Sequence, residues 1–117
     1  MEFKKNQTIY MQIADFICEN ILTDSWSASN KIPSVRELAA QIEVNPNTVM
    51  RSYSYLQDAG IIFNKRGIGF FVSENAQELI KELQRQNFIE SEIPDFAKRM
   101  KLLDIALSTF EKAFKAI

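Results

Sequence analysis

The chain has 117 residues, of which 46% are hydrophobic and 25% charged, a composition typical of a small globular protein and unlike that of a disordered or fibrous one. Its basic and acidic residues nearly balance, at a formal net charge of −1. It has no histidine and one cysteine, Cys18, which excludes Cys/His metal sites, internal disulfides and histidine-dependent nucleophiles. We therefore expect no metal, no cofactor and no enzymatic activity.

The N-terminal segment M-E-F-K-K-N-Q-T contains no apolar signal-peptide core. The longest purely apolar runs, such as I-I-F at 61–63, are far shorter than the ~20 residues that a membrane span needs. A cytoplasmic location with no membrane contact is the expectation.

The first two helices are indicated by periodicity and capping. Apolar residues recur at steps of three and four between Thr8 and Leu22, which predicts an amphipathic helix with Thr8 as its cap. Within it, Cys18 is expected to be a small packing residue and not a reactive thiol. Farther along, Ser34 and Glu37 have the spacing of a capping box and open a short second helix.

The third helix is predicted from Pro46 to Ala59. Asn45 can cap it, Pro46 fits the first helical position, and Gly60 supplies a left-handed C-terminal stop. Two short helices joined by a tight turn form a helix-turn-helix pattern, although the turn Q-I-E-V-N-P has no glycine.

A β-hairpin follows this pair of helices. The β-prone triplets I-I-F and F-F-V flank N-K-R-G-I-G, which places Lys65 and Arg66 at a glycine-containing tip. The fold class is therefore mainly α with a small β-hairpin: a winged helix-turn-helix domain over residues 1–73.

Residues 74–117 are expected to form a second, helical region. One helix should end near Asn87, and Pro94 and Asp95 should open a single last helix. Its apolar residues alternate in steps of four and three, the pattern of a heptad seam: Phe96, Met100, Leu103, Leu107, Phe110, Phe114 and Ile117. This seam could join two subunits, or it could pack on helices of its own chain.

The third helix carries the candidate DNA-binding residues. No acidic side chain occurs from Val44 to Gln57, so a polyanion could approach without repulsion. Asn45, Asn47 and Thr48 lie at the helix N-terminus, where phosphates and base edges can be contacted, and Arg51 follows one turn later. Tyr53 is a further candidate for a phosphate contact.

Each of these residues also has a purely structural interpretation. Asn45 could serve only as a cap, and Arg51 could be a solvated surface arginine. Arg36, in the second helix, could pair with Glu37 or Glu43 instead of DNA. Lys65 and Arg66 could simply occupy an exposed turn.

Several segments together resemble the GntR family of bacterial transcription regulators. They are Y-M-Q-I at 10–13, K-I-P-S-V-R-E-L-A at 31–39, V-N-P-N-T-V-x-R-x-Y at 44–53, L-x-x-x-G-I-I at 56–62 and R-G-I-G-F-F-V at 66–72, where x marks a position that carries no resemblance. The N-P-N-T-V element and the short helical tail resemble the YtrA-like subfamily. The resemblance implies a homodimer, joined by its tail, on a palindromic operator.

Positions that match DNA-contacting motif residues of the family imply DNA-binding roles. They are Arg36, Asn47, Thr48, Arg51, Arg66 and Gly67. Pro46 and Met50 stand where the family often has arginines, and Phe70 stands where a threonine is frequent. Two arginine contacts of the family are therefore missing.

A dimeric DNA-binding regulator, most simply a repressor, is the leading hypothesis. The alternative is a winged-helix protein-interaction module that holds a partner with its C-terminal helices, and the pI near 5.5 favours it slightly. The acid-free stretch from Val44 to Gln57 favours DNA, because a scaffold helix has no need to exclude Asp and Glu there. The sequence identifies no small-molecule effector.

Overall fold

A computed structural model describes residues 7–117 of the chain. Its elements are, in order, α1 (Ile9–Leu22), α2 (Val35–Ile42), α3 (Pro46–Asp58), β1 (Ile62–Lys65), β2 (Gly69–Val72), α4 (Ala76–Asn87), a π-helical segment (Phe88–Glu92), α5 (Ile93–Leu102) and α6 (Leu107–Lys115). The predicted class, mainly helical with one antiparallel hairpin, is confirmed. Within residues 7–117 no helix is long and apolar enough to cross a membrane.

The structure divides into two compact units, with the division between Lys81 and Glu82. The first unit extends past the predicted boundary near residue 73 because the start of α4 packs on it. Ala76 and Ile80 are buried, and the Gln77 side-chain amide donates to the Ile21 carbonyl at 3.0 Å and to Asp24 at 2.9 Å.

The core of the first unit forms where α1 packs against α3. Ile13, Ile17 and Ile21 line the buried side of α1, and Val49 and Leu56 face them from α3. These are the positions that helical periodicity selects.

Cys18 belongs to the same core, as predicted. Only 4% of it is exposed. Burial, with a smaller contribution from the charge of Asp15, raises the pKa of its thiol to about 12. The thiolate form is thereby suppressed at neutral pH, which suits a packing role.

Hydrogen bonds cap helix α2 at both ends, and the second cap begins the turn to α3. At the start of α2, the Glu37 N–H donates to Ser34 Oγ at 3.1 Å and the Ser34 N–H donates to Glu37 Oε1 at 3.0 Å, so the capping box is confirmed. At its end Glu43 adopts a left-handed conformation, with φ of 56°, and the Val44 N–H donates to the Ala39 carbonyl. The turn therefore uses a strained glutamate where glycine is commonest.

Glu43→Gly is expected to stabilise the protein by about 0.5–1 kcal/mol. Glycine removes the steric cost of the left-handed conformation, and its larger unfolded-state entropy offsets part of that gain. Urea unfolding of both proteins measures the difference, with Glu43→Ala as the matched control that loses the charge but keeps the strain. Equal stability of Glu43→Gly and Glu43→Ala would contradict this account.

The wing is shorter at its tip than the sequence suggested. Ile62 pairs with Val72 and Lys65 pairs with Gly69, so the strands take in both ends of the predicted connection. The Ile68 N–H donates to the Lys65 carbonyl at 2.9 Å and closes the turn, with Gly67 at φ of 78°.

A further short segment extends this sheet beyond β2. Lys31 forms an antiparallel bridge with Phe71, and the Ile32 N–H donates to the Phe70 carbonyl at 3.0 Å. The loop before α2 is thus fixed to the wing.

The prediction of one long last helix is wrong. α5 ends at Leu102, and Asp104 adopts a left-handed conformation with φ of 54°. The Ile105 N–H donates to the Met100 carbonyl at 2.9 Å and the Asp104 N–H donates to Lys101 at 3.2 Å, which is the Schellman pattern of a helix end. A continuous heptad seam is therefore wrong as well.

The break expected between residues 87 and 94 is also wrong, because the π-helical segment joins α4 directly to α5. Pro94 cannot donate a backbone hydrogen bond, and its ring would collide with the carbonyl four residues earlier in a regular helix. The wider turn of the π segment just before it accommodates this proline.

Candidate nucleic-acid interface

The N-terminus of α3 is organised by Asn45. Its side-chain oxygen accepts the Asn47 N–H at 2.8 Å, and its backbone carbonyl accepts the Thr48 N–H at 3.0 Å. Asn45 is therefore the cap of this helix, and the cap engages the oxygen that would otherwise read a base. Asn47 is exposed and Thr48 half-buried in the first turn, beside N–H groups that favour an anion.

Arg51 lies on the exposed side of α3, one turn after Asn47 and Thr48. The central carbon of its guanidinium is 4.1 Å from the centroid of the Tyr10 ring, a cation–π contact. The Ser52 hydroxyl donates to the Tyr10 carbonyl at 2.7 Å, so α1 and α3 are also joined through the backbone at this level. Our sequence reasoning did not select Tyr10, although it lies in the quoted segment Y-M-Q-I.

The prediction that Tyr53 contacts a phosphate is wrong. Tyr53 is fully buried, and its hydroxyl donates to the Pro33 carbonyl at 2.6 Å. Its ring contacts Phe70 edge to face, at 4.9 Å between centroids. Burial raises the pKa of the Tyr53 hydroxyl above its usual value, with a smaller contribution from the charge of Glu37. Tyr53 thus connects α3 to the loop that precedes α2 and to strand β2 of the wing.

Tyr53→Phe is expected to cost about 1–2 kcal/mol of stability, because the Pro33 carbonyl loses its donor in a buried place. DNA affinity of the folded variant should stay within about twofold of wild type, since the lost hydroxyl does not reach the surface. Denaturant unfolding and a binding titration measure the two quantities. A large loss of affinity at unchanged stability would restore Tyr53 as a DNA contact.

At the tip of the wing, Arg66 and Gly67 are exposed, as predicted. Lys65 is both the last residue of β1 and the first residue of the turn at the tip, because its carbonyl accepts the Ile68 N–H. Its contact with DNA stays a prediction. The Lys65 ammonium nitrogen is 4.6 Å from the centroid of the Phe71 ring, which itself stacks on Phe63. Lys65 is thus an exposed cation on the outer face of the sheet.

Lys31 is a second cation on this wing, and the sequence analysis did not select it as a candidate. Its aliphatic chain crosses Gly69 so closely that a Cβ added there would lie 2.9 Å from Lys31 Cε. Gly69 also has a φ of 139°, which L-residues rarely adopt. The signal was hidden because Lys31 and Gly69 are far apart in sequence.

Arg36 lies in the first turn of α2 and is exposed. It lies within the capping box, between Ser34 and Glu37, where backbone and side-chain hydrogen bonds with Ser34 lower the pKa of the Glu37 carboxyl. Ion pairing of Arg36 with Glu37 or Glu43 does not occur in the part of the chain that the structure describes. Arg36 is thus available to an external anion.

The candidate interface avoids negative charge beyond α3 as well. No aspartate or glutamate occurs from Ala59 to Ser73, which contains the whole wing. Asp58, the last residue of α3, is therefore the one acidic residue between Val44 and Ser73, and the N-terminal part of α3 and the wing do not repel a polyanion.

The predicted dimerisation residues lie in the second unit, on α5, α6 and the turn between them. Phe96 and Phe110 contact each other at 5.5 Å between ring centroids, and Phe110 contacts Phe114 at 6.0 Å. Part of the predicted seam therefore packs within its own unit. Leu103, Leu107 and Phe114 nevertheless remain 61–67% exposed.

An apolar groove of about 340 Å³ runs along this unit. It is lined mainly by the residues of the predicted seam and their neighbours: Phe96, Arg99, Met100, Leu103, Ile105, Thr109, Phe110 and Ala113. A continuous apolar surface of this kind is uncommon on a monomer and typical of an interaction surface.

Residues 9–72 match the family model for bacterial regulatory proteins of the gntR family. Among curated proteins, the chain is 38% identical over 104 residues to the HTH-type transcriptional regulator YhcF of Bacillus subtilis, covering 89% of this chain and 84% of YhcF. It is 42% identical over 79 residues to the HTH-type transcriptional repressor YtrA of the same organism, covering 68% of this chain and 61% of YtrA.

Solved structures give the same result. A protein from Bacteroides thetaiotaomicron, described as a transcriptional regulator of the GntR family, has a TM-score of 0.79 at 45% identity and covers 93% of this chain and 95% of its own. AraR(DBD), solved in complex with operator ORR3, has a TM-score of 0.57 at 25% identity and covers 62% of this chain and 88% of its own. The relatives are transcriptional regulators, which confirms the expectation of a non-enzyme.

Proposed function

This chain belongs to the GntR family of bacterial regulatory proteins, and we propose that it is a repressor that binds a palindromic operator as a homodimer. The observation that carries the proposal is the exposed N-terminal face of α3, where Asn47, Thr48 and Arg51 lie together without acidic neighbours along the helix. DNA-binding regulation of transcription is the function of the family, and the finer statements are our proposal.

In the proposed complex, α3 enters the major groove. Recognition helices of this kind present their N-terminal residues to base edges, so Asn47, Thr48 and Arg51 form the reading set. Arg36 and the wing tip at Arg66 and Gly67 contact the backbone or the neighbouring minor groove. The AraR(DBD) structure, solved in complex with an operator, supports DNA binding by the first unit.

The homodimer is proposed from the surface of the second unit. The exposed leucines and phenylalanines of α5 and α6 would be covered by the same surface of a second chain, as an isologous interface requires. The two α3 helices would then read half-sites one helical turn apart, about 34–36 Å, or a multiple of that spacing.

Repression and location follow from how such regulators work. YtrA of Bacillus subtilis is named a repressor, and binding of a dimer over a promoter is the simplest way for a small regulator to act. A protein that binds bacterial DNA works in the cytoplasm, so a cytoplasmic location is part of the proposal.

The test is to measure the mass of the protein in solution and to select its preferred duplexes from a random DNA pool at physiological salt. A dimer that enriches an inverted repeat is the expected result. A folded protein that enriches no duplex would overturn the proposal and favour the alternative, a protein-interaction module. A monomer that enriches a single half-site would overturn only the dimer.

Lys31→Gln is expected to weaken binding to all duplexes alike and to make the slope of log affinity against log salt less steep by about 1.8, or about 0.9 for each of two half-sites. The reason is that Lys31 and Lys65 flank the wing, where they can meet phosphates but no base. Lys81→Gln, an exposed lysine on α4, is the matched control. An unchanged slope would mean that Lys31 only packs on Gly69.

A further inference from the structure

We infer that Tyr10 positions Arg51 for base reading, so that a residue of α1 determines part of the DNA specificity of α3. The inference rests on the proposed function, in which Arg51 belongs to the reading set. Its basis is the stacking of the Arg51 guanidinium on the Tyr10 ring, at 4.1 Å from the ring centroid.

The contact selects one orientation of a flexible side chain. A free arginine samples many rotamers, and ordering it on binding costs conformational entropy. Stacking uses the face of the planar guanidinium and leaves its N–H donors, which lie in the plane, directed outward. Within residues 7–117 no carboxylate is ion-paired with Arg51, so the Tyr10 ring is what orients it.

The backbone of Tyr10 is itself held in place. Ser52, the residue after Arg51, donates its hydroxyl to the Tyr10 carbonyl at 2.7 Å and to the Thr48 carbonyl at 3.2 Å. Ser52 is fully buried between α1 and α3. The Ser52–Tyr10 bond fixes the position of Tyr10 along the axis of α3. The Tyr10 ring is therefore stacked against Arg51 and not one helical turn farther along α3.

In this arrangement, α3 contributes the side chain that contacts the base, and α1 contributes the residue that orients it. Arg51 supplies the donors that a guanine O6 and N7 would accept, and Tyr10 supplies the pre-organisation without touching DNA. Tyr10 is thus a positioning residue, and it should affect specific binding while leaving nonspecific binding unchanged.

The test compares Tyr10→Phe, Tyr10→Leu, Arg51→Ala and the double variant Tyr10→Leu/Arg51→Ala on the enriched duplex and on a scrambled one. Tyr10→Phe keeps the ring and should bind like wild type. Tyr10→Leu should bind the enriched duplex about 5- to 25-fold more weakly, which corresponds to one lost cation–π contact in each half-site. It should bind the scrambled duplex unchanged, and it should add no loss to Arg51→Ala.

A second measurement needs no DNA. The δ-methylene protons of Arg51 should be shifted upfield in the NMR spectrum by the Tyr10 ring current in wild type and Tyr10→Phe, and not in Tyr10→Leu. If the chemical shift of the Arg51 δ-methylene protons is the same in Tyr10→Leu as in wild type, the inference is overturned.

The binding results separate the possible failures. An equal loss on both duplexes, or the same loss in the Arg51→Ala background, would mean that Tyr10 acts structurally and would overturn the inference. A large loss in Tyr10→Phe would make its hydroxyl a direct DNA contact, which also overturns it. If wild type enriches no duplex, the proposed function fails and the inference fails with it.

Discussion

Leu107→Asp is expected to convert the proposed dimer into a monomer and to lower affinity for the proposed operator by about two to four orders of magnitude. Leu107 is 65% exposed in the isolated unit, so its replacement leaves the fold of one chain intact. In a dimer the new carboxylate would be buried among apolar side chains, where an unpaired charge costs several kcal/mol.

The effect on DNA binding follows from losing bivalency. A dimer places its second reading helix beside the second half-site at high effective concentration, and this advantage amounts to about 10²–10⁴ in apparent affinity. A monomer keeps each half-site contact but loses that advantage. Sedimentation velocity measures the assembly, and titration of an inverted repeat measures the affinity.

Ser108→Asp is the matched control for this prediction. Ser108 is the next residue of α6, is also exposed, and lies outside the predicted seam. Aspartate is favourable in the first turn of a helix at both positions, so neither change should unwind α6. If Leu107→Asp and Ser108→Asp both remain dimeric, the interface lies elsewhere on the chain.

Arg51→Ala is expected to cost about 1–3 kcal/mol for each half-site and to relax the base preference at the position that Arg51 reads. A bidentate arginine discriminates one base, so its loss removes specificity together with affinity. The exposed side chain contributes little to folding, and Arg51→Ala should unfold within about 0.5–1 kcal/mol of wild type.

Lys81→Ala serves as the control for losing one exposed cation in the same unit away from α3. It should reduce affinity slightly and equally for all duplexes, and leave the selected sequence unchanged. Should Arg51→Ala bind the enriched duplex as tightly as wild type, the reading face of α3 has been assigned to the wrong residues.

Helix ends show where sequence reasoning succeeds and where it does not. Gly60 was predicted to stop α3, and it does so at φ of 78°, with the Ile61 N–H bonded to the Leu56 carbonyl. Asp104 ends α5 through the same kind of bonds and was missed. A glycine predicts a left-handed helix end because glycine is the residue that adopts this conformation most readily. An aspartate does not, because aspartate adopts the left-handed conformation only occasionally.

The candidate site divides in a similar way. The cap at Asn45 and the exposed positions of Asn47, Thr48 and Arg51 follow from local helix chemistry, which operates within a few residues. The burial of Tyr53 could not be read locally, because its partner Pro33 lies in another part of the chain. The contact of Lys31 with Gly69 and the stacking of Arg51 on Tyr10 could not be predicted locally either, because each joins residues far apart in the sequence.

The sequence by itself determined the helix-turn-helix, the hairpin and the absence of acidic residues from Val44 to Gln57, since periodicity, capping and charge are properties of neighbouring residues. Only the tertiary structure decided that Tyr53 is buried, that Tyr10 stacks on Arg51, and that the tail turns back at Asp104. The physical reason is that packing brings together residues far apart in the chain, and their exposure and orientation depend on contacts that no local pattern encodes.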